Sequence, residues 1–309
     1  MNAKDILNKF GFHAEDEPIS IYPFSPVYRA TQPEGEYIIK KTQSPMLKAN
    51  RLIAYTTSLK EWGIDVVVPV PMTMDNPMAI DGAMYVVYPF IEGSTYSGLD
   101  REIEDAGKLF GRIHALSSNE NEFNLSPYDV YDFNEKEAED GIQKINQNSS
   151  AYDIEISPKL EDRLMQAVHN QEDLNQAALP HVATPYDYKA NNLIYTPDPY
   201  LIDPDNAGWV PRIFDLALAL LLFHNELETA PDQPFTPRQW KLFVTGYEKS
   251  AVLSPKEKSY WPKAIEHVFL DEVMWLMADT PEDWHNPAQR KLFEELVQLL
   301  INVEEYNFM

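Results

Sequence analysis

The chain of 309 residues has no cysteine and no long uninterrupted apolar segment. Without thiols it has neither a disulfide framework nor a thiolate metal site, which fits a cytoplasmic protein. The longest apolar run, residues 216–223, is too short to cross a bilayer. Residues 1–18 lack the basic flank and apolar core of a signal peptide. We therefore expect a cytoplasmic location and no contact with membranes.

Basic residues are also scarce, because 25 lysines and arginines stand against 49 aspartates and glutamates. The resulting net charge of −24 repels phosphate backbones, so we do not expect nucleic-acid binding. The same charge favours cationic small molecules or basic partners. Acidity that only keeps a protein in solution explains it equally well. Nothing in the sequence indicates an oligomeric state.

The residue pattern changes near Gly93 from β-rich to helical. Before it, the pattern predicts a helix that ends at Gly63 and four strands: helix 46–62 and strands 19–30, 36–42, 65–72 and 83–91. After it, apolar residues at helical spacing predict helices over residues 100–116, 214–227, 236–251, 254–279 and 287–306. Thr236 and Ser254 each precede a proline and are expected to be N-caps. We predict an α+β fold with a smaller unit at residues 1–92 and a helical unit at residues 93–309.

A single short strand pair is expected to interrupt the helical part. The segments "NNLIY" and "PYLID" are joined by the turn "TPDP". Asp187 and Asn192 precede the first strand, and Asp203 ends the second. Hard oxygen ligands that converge from neighbouring loops suit Mg²⁺ bound together with substrate phosphates, and a further carboxylate can orient a hydroxyl for attack. Each residue alone is common in turns, so it is the ordered set that indicates a site.

The segments "DYKANNLIY" and "LIDPDNAG" resemble the catalytic core of the aminoglycoside phosphotransferase and choline kinase family, a small-molecule branch of the protein-kinase-like fold. "FDLALAL" is similar to the family's next helix, and "YVVYPFIEG" and "AGKLFGRIHALS" resemble the hinge and the helix that follows it. The resemblance covers about residues 20–280. It implies a two-lobed fold, with a nucleotide-binding lobe at residues 1–92 and a lobe holding the catalytic hairpin and acceptor site at residues 93–309.

The resemblance assigns roles to the acidic and amide residues of this core. Asp187 would accept the proton of the attacking hydroxyl, while Asn192 and Asp203 would hold Mg²⁺ against the phosphates of ATP. Asp215, at the start of a helix, is expected to cap that helix and to brace the catalytic loop. Asp205 would either touch a second metal ion or lie exposed in a turn.

The resemblance also implies nucleotide contacts in the first lobe. Lys40 in "YIIKK" matches the strand lysine that binds nucleotide phosphates. Strand alternation alone leaves Lys40 and Lys41 as alternatives, since they point to opposite faces. Backbone N–H and C=O groups from about Tyr88 to Phe90 would face the adenine.

Three departures from the family pattern accompany these matches. Pro185 and Tyr186 replace the family's His-Gly before the base, and we interpret His181 as a loop residue. The segment "PFSPVYRA", expected to cover the phosphates, has no glycine. The first predicted helix offers only Glu61, in its last turn, as a partner for the lysine. We expect Pro185 and Tyr186 to form a working variant of the catalytic loop.

The leading hypothesis is an ATP- and Mg²⁺-dependent kinase that phosphorylates a hydroxyl of a small molecule of the aminoglycoside, choline or homoserine type. The alternatives are a degenerate kinase-like protein that binds nucleotide or regulates a partner, and a metal-dependent hydrolase. Asp271, Glu272 and Trp275 are candidates for the acceptor wall. We favour the other interpretation of this segment, a half-buried amphipathic helix with Trp275 in the core.

Overall fold

The N-terminal part of the chain is organised around a four-stranded antiparallel sheet. The computed structural model describes residues 2–22 and 25–308. The strands are β1 (Val27–Gln32), β2 (Gly35–Thr42), β3 (Met78–Ile80) and β4 (Ala83–Pro89), hydrogen-bonded in the order β1-β2-β4-β3. Helix α1 (Ala3–Lys9) packs its apolar side chains against this sheet, and helix α2 (Met46–Glu61) follows β2. The expected β-rich N-terminal part with one long helix is confirmed.

Two details of this part differ from expectation. The predicted strand over residues 65–72 is wrong: only Val66 makes a bridge, to Leu201. Pro69 and Pro71 interrupt the segment, and proline cannot donate to a strand ladder. Of the predicted strand over residues 19–30, only the end lies in β1. Residues 23 and 24, at the start of the expected phosphate-covering segment, lie outside the described residues.

The C-terminal part is mainly helical and encloses the larger apolar core. Its helices are α3 (Asp100–Leu116), α4 (Glu135–Ser150), α5 (Lys159–Gln176), α6 (Arg212–Leu222), α7 (Pro237–Tyr247), α8 (Pro255–Val268), α9 (Met274–Ala278) and α10 (Pro287–Ile301). A π-helical turn, Phe269–Val273, joins α8 to α9. Thr236 and Ser254 form capping boxes at α7 and α8, as predicted. The α+β class is therefore confirmed.

Close packing of α3 on α7 fixes the position of α3 in this core. Gly107 and Gly111 allow the approach, because a Cβ atom on either would overlap the backbone of Phe243 or Tyr247. A larger residue at either glycine would force the two helices apart. The last turn of α3, which carries His114, is thereby held beside α7.

Two small sheets lie between the helices. One contains β5 (Ser94–Thr95), β8 (Leu193–Tyr195) and β9 (Pro199–Leu201), and the other contains β6 (Ser126–Pro127), β7 (His181–Thr184) and β10 (Gly208–Pro211). Strands β8 and β9 are the predicted pair, with Ile194 opposite Tyr200. The expectation that only this pair interrupts the helices is wrong, because β5, β6, β7 and β10 are also present.

The two parts of the chain share packing across α2. Tyr55 and Leu59 of α2, with Ile64 and Val66 after it, belong to the large core of the helical part. The expected division between residues 1–92 and 93–309 stays a prediction. No helix within the described residues has both the length and the apolar character to span a membrane.

Candidate active site

The segment between β7 and β8, residues 185–192, forms a loop anchored at several points. Tyr188 stacks its ring on Phe110, with centroids 4.3 Å apart, and donates its hydroxyl to the Ala106 carbonyl at 2.8 Å. The Asn192 side-chain amide donates to the backbone carbonyl of Asp187 at 2.9 Å. Asp187 has a φ of +70°, a left-handed conformation that aspartate tolerates better than most residues. The anchors hold Asp187 in one position.

A buried polar cluster lies behind this loop. Asp215 on α6 accepts hydrogen bonds from the Thr184 hydroxyl at the end of β7 and from Nε2 of His114, the latter at 2.9 Å. Because Nε2–H donates to the carboxylate, Nδ1 accepts from the Tyr247 hydroxyl at 2.9 Å. Burial lowers the pKa of His114, and the Asp215 carboxylate opposes that shift. The ring is therefore neutral, and the cluster braces the strand that leads into the loop.

The predicted role of Asp215 is corrected in part by these contacts. It does not cap α6, since the N-cap position is Pro211 and no side chain caps this helix. Its hydrogen bond from Thr184 does support the loop. His114 was not identified from the sequence, where it is one polar residue on an apolar helix face.

Asp203 and Asp205 follow β9 and face Lys40. The Lys40 ammonium lies 2.7 Å from Asp203 Oδ1 and 3.1 Å from Asp205 Oδ2. Burial lowers the pKa of Lys40, but Asp205 and Asp203 outweigh it and the net shift is upward. For the Asp205 carboxyl, burial has the opposite effect and raises the pKa to about 6, although Lys40 opposes the shift. Asp205 is therefore a half-buried partner of Lys40, and the alternative of an exposed turn residue is wrong.

The structure separates the two candidate lysines. Lys40 is buried and paired, whereas Lys41 is exposed. Glu61 is exposed in the last turn of α2, and the carboxylates that meet Lys40 come from the loop after β9 instead. The role of Lys40 toward phosphates stays a prediction.

A cavity of about 680 Å³ lies between the four-stranded sheet and the two loops that carry Asp187 and Asp203. Lys40, Tyr88, Phe90, Asn192 and Asp203 all line it, so the predicted nucleotide and metal residues share one cavity. We call it the nucleotide cavity. The Tyr88 hydroxyl is buried and has no hydrogen-bond partner in the described part of the chain.

The donor expected from Phe90 is already occupied. Its backbone N–H donates to the Glu36 carbonyl at 2.9 Å, and its ring lies 4.1 Å from the Arg29 guanidinium. Pro89 has no N–H to offer. Ile91, the next residue with an amide hydrogen, lines the same cavity.

A second cavity, of about 570 Å³, lies on the other side of Asp187. We call it the acceptor cavity. Asp271 and Glu272 of the π-helical turn line it, together with Trp275. The favoured interpretation of Trp275 as a core residue is wrong, because 46% of it is exposed. All three residues line this cavity, and their role toward an acceptor stays a prediction.

Asp187 lies where the two cavities meet. Lys189, Asn206 and Glu226 also line both. The Lys189 ammonium lies 3.3 Å from Asp187 Oδ2 and 3.1 Å from Glu226 Oε2. Burial raises the pKa of Asp187 to about 6, and Lys189 opposes the shift. Sequence patterns did not identify Lys189 or Glu226. The position of Lys189, two residues after Asp187, was the available signal.

The residues at the nucleotide cavity fit a magnesium ion bound with phosphate. Asp203 and Asp205 supply carboxylate oxygens, and Asn192 uses its N–H₂ on Asp187, which leaves its carbonyl oxygen free to act as a ligand. Asp205 Oδ1 is buried without a partner in the described residues. Within the same residues no three histidine, cysteine or acidic side chains converge as a complete metal cage. Mg²⁺ needs only a few protein ligands when phosphates and water complete its coordination shell.

Pro185 and Tyr186, which precede Asp187, lie in different surroundings from His181. Pro185 is buried, and Tyr186 lines the acceptor cavity. His181 begins β7 and packs beside Trp209, with centroids 6.0 Å apart, so its interpretation as a loop residue is wrong.

Known proteins resemble the chain over most of its length. A model described as "Phosphotransferase enzyme family" matches residues 23–251. The structure of a microcompartment-associated aminopropanol kinase is 12% identical, with a TM-score of 0.66 over 99% of this chain and 98% of that one. A spectinomycin phosphotransferase solved with ADP and spectinomycin is 15% identical, with a TM-score of 0.62 over 98% and 97%.

The choline kinase LicA from Streptococcus pneumoniae is 16% identical, with a TM-score of 0.55 over 96% of this chain and 98% of that one. At these identities the solved structures show the shared fold. No curated protein matches the chain by sequence. The family match and the shared fold confirm the resemblance predicted from the motifs around Asp187 and Asp203.

Proposed function

We propose that this chain, which belongs to the phosphotransferase enzyme family, transfers the γ-phosphate of ATP to a hydroxyl group of a small acceptor. The observation that carries the proposal is the position of Asp187 at the junction of two cavities. A nucleotide in one cavity and an acceptor in the other would meet at this carboxylate. The spectinomycin phosphotransferase of similar fold was solved with ADP, which supports the choice of nucleotide.

In this proposal Asp187 accepts the proton of the acceptor hydroxyl as that oxygen attacks the γ-phosphorus. Lys40 contacts the nucleotide phosphates. Tyr88 and the neighbouring backbone form the part of the cavity wall that faces the adenine. Lys189 lies beside Asp187 and favours its charged form, which is the form that can accept a proton. Its ammonium is also near enough to the junction to counter charge on the transferring group.

Asn192 and Asp203 would hold Mg²⁺, with Asp205 as a further oxygen donor. Bound there, the ion would neutralise charge on the phosphates and hold them in line with the acceptor. The Lys40 ammonium lies 2.7 Å from Asp203 and 3.1 Å from Asp205, beside the carboxylates that would hold the ion.

The acceptor is proposed to be cationic. Asp129, Glu226, Asp271 and Glu272 line the acceptor cavity with Asp187, whereas Lys48 and Lys189 are its lysines. A cavity with this excess of carboxylates attracts ammonium groups and repels carboxylates. The aminopropanol and choline kinases of similar fold are named for substrates that combine a positively charged nitrogen with a hydroxyl.

The proposal is tested by turnover with a panel of amino alcohols and amino sugars. Asp187→Asn should lower turnover by about 10²–10⁴-fold while ATP binding changes little, because the base acts on the acceptor. Asp198→Asn, on the exposed turn between β8 and β9, is the matched control, and its turnover should equal that of the wild-type protein. Near-normal phosphate transfer by Asp187→Asn would refute the mechanism. ATP hydrolysis that ignores every acceptor would instead favour the hydrolase hypothesis.

A further inference from the structure

Tyr186 occupies a backbone conformation that is costly for its residue type. Its φ is +43°, in the left-handed region where glycine is tolerated and a bulky aromatic residue is an outlier. The family pattern has glycine at this position. Strain of this kind persists where the surroundings hold the residue in place, so the contacts of Tyr186 indicate its purpose.

The Tyr186 side chain connects the loop at residues 185–192 to the opposite wall of the acceptor cavity. Its hydroxyl donates to Glu272 Oε1 at 3.0 Å, although the two residues are 86 positions apart in the chain. Both residues line the acceptor cavity with Asp187. A hydroxyl bound to a carboxylate is a charge-assisted hydrogen bond, which fixes the orientation of the carboxylate as well as its position.

Glu272 is a carboxylate that lacks a cation of its own. Among residues 2–22 and 25–308, neither Glu272 nor its neighbour Asp271 has an ion-pair partner, and Lys189 is engaged by Asp187 and Glu226. Burial raises the pKa of Glu272 and the nearby Asp271 adds to the shift, while hydrogen bonds from Tyr186 and Trp275 and the more distant charge of Lys189 oppose it. Asp271 is held in the same manner as Glu272, by the Tyr128 hydroxyl at 2.8 Å. Half-buried carboxylates of this kind are stabilised when a cation reaches them.

We propose that Tyr186 is a specificity-determining residue, which positions the Glu272 carboxylate to bind an ammonium group of the acceptor. The inference rests on the proposed function, and it narrows the acceptor to a hydroxyl compound that carries an ammonium group, either protonated or quaternary. Tyr186 and Asp187 are adjacent, so the amine end and the reacting hydroxyl are positioned by consecutive residues of one loop. A neutral alcohol would form no ion pair with Glu272 and would leave the charge of that carboxylate unpaired.

Binding measured without turnover tests this inference. In the Asp187→Asn background, calorimetry compares three probes with an ammonium group, 1-amino-2-propanol, choline and spectinomycin, with the neutral 1,2-propanediol. The amine that binds best should lose roughly tenfold in affinity on Tyr186→Phe, because one hydrogen bond to a charged group is removed while the ring is kept. Binding of the diol should not change. Glu272→Gln should abolish the preference for the amine altogether.

Tyr260→Phe is the matched control, since the Tyr260 hydroxyl also donates to a carboxylate, that of Asp173 at 3.0 Å, far from the cavity. It should leave every affinity unchanged. Failure of all three amines to bind, or equal losses for amine and diol in Tyr186→Phe and Glu272→Gln, would overturn the inference. Thermal unfolding of each variant identifies any that does not fold, and Glu272→Gln then carries the test alone.

The two proposals fail in different ways. If the amine preference behaves as expected but the protein with Asp187 intact transfers no phosphate, the reaction is wrong and the ammonium site stands. If phosphate is transferred while amine preference ignores both Tyr186 and Glu272, the reaction stands and the specificity role is wrong.

Discussion

Replacement of Asp215 by alanine should destabilise the protein and weaken its catalytic loop. The carboxylate is 0% exposed and accepts hydrogen bonds from Thr184 and from His114, the latter at 2.9 Å. Asp215→Ala removes the acceptor of two buried donors, and each unsatisfied donor costs about 1–3 kcal/mol, so the limits are about 2–6 kcal/mol. The Thr184 hydroxyl, 3.4 Å from His114 Nε2, offers a weak substitute acceptor. Removal of a buried charge recovers part of this cost. We therefore expect a loss of about 2–4 kcal/mol in the free energy of unfolding.

Urea unfolding followed by circular dichroism measures this loss. A natural domain has about 5–15 kcal/mol of stability, so the variant should still fold but with a much lower midpoint. Asp215→Asn keeps one acceptor oxygen and should lose less. Asp279→Asn removes an exposed carboxylate that pairs with Lys144 at 2.6 Å, and as the matched control it should unfold as the original protein does. A loss below about 1 kcal/mol for Asp215→Ala would show that the cluster does not brace the loop.

Three further predictions concern the site itself. MgATP should raise the melting temperature, and Asp203→Ala should remove most of the metal-dependent part of that rise; identical responses would refute the metal assignment. Turnover should fall as the pH drops through about 6, because Asp187 then gains a proton, and Lys189→Met should move this limb to higher pH since Lys189 lowers the pKa of Asp187; a pH–rate profile that stays in place contradicts this. Pro185→His and Tyr186→Gly should change turnover at saturating acceptor only modestly, and a gain of activity by Pro185→His from an inert original would indicate a degraded loop.

The long elements could be predicted from the sequence because their signals are local. The apolar stripe of α3 and the capping residues Thr236 and Ser254 each lie within a few residues of what they specify. Strands of two to four residues, such as β5 and β7, are too short to show an alternating pattern. In residues 65–72 the valines suggested a strand, and the prolines prevented the ladder.

The candidate site likewise combines residues with a local sequence signal and contacts that have none. Asp187, Asn192 and Asp203 flank one short hairpin, so their spacing alone indicated a site. The contacts that the sequence did not reveal join distant residues: Tyr186 meets Glu272, 86 positions away, and His114 meets Asp215, 101 positions away. No periodicity or motif encodes such pairs.

The structure also explains how the catalytic loop can lack the histidine that usually precedes the base. Support for the loop comes from outside the motif, because His114 of α3 and Thr184 of β7 both bind Asp215 behind it. Pro185 is buried beside this cluster and fixes its own φ, so it adds order without needing a hydrogen-bond partner. A histidine there would bring two ring nitrogens into a buried position, where each unpaired one costs free energy. The Pro-Tyr pair is therefore compatible with an ordered loop that Asp215, His114 and Thr184 brace from behind, and its catalytic competence stays a prediction.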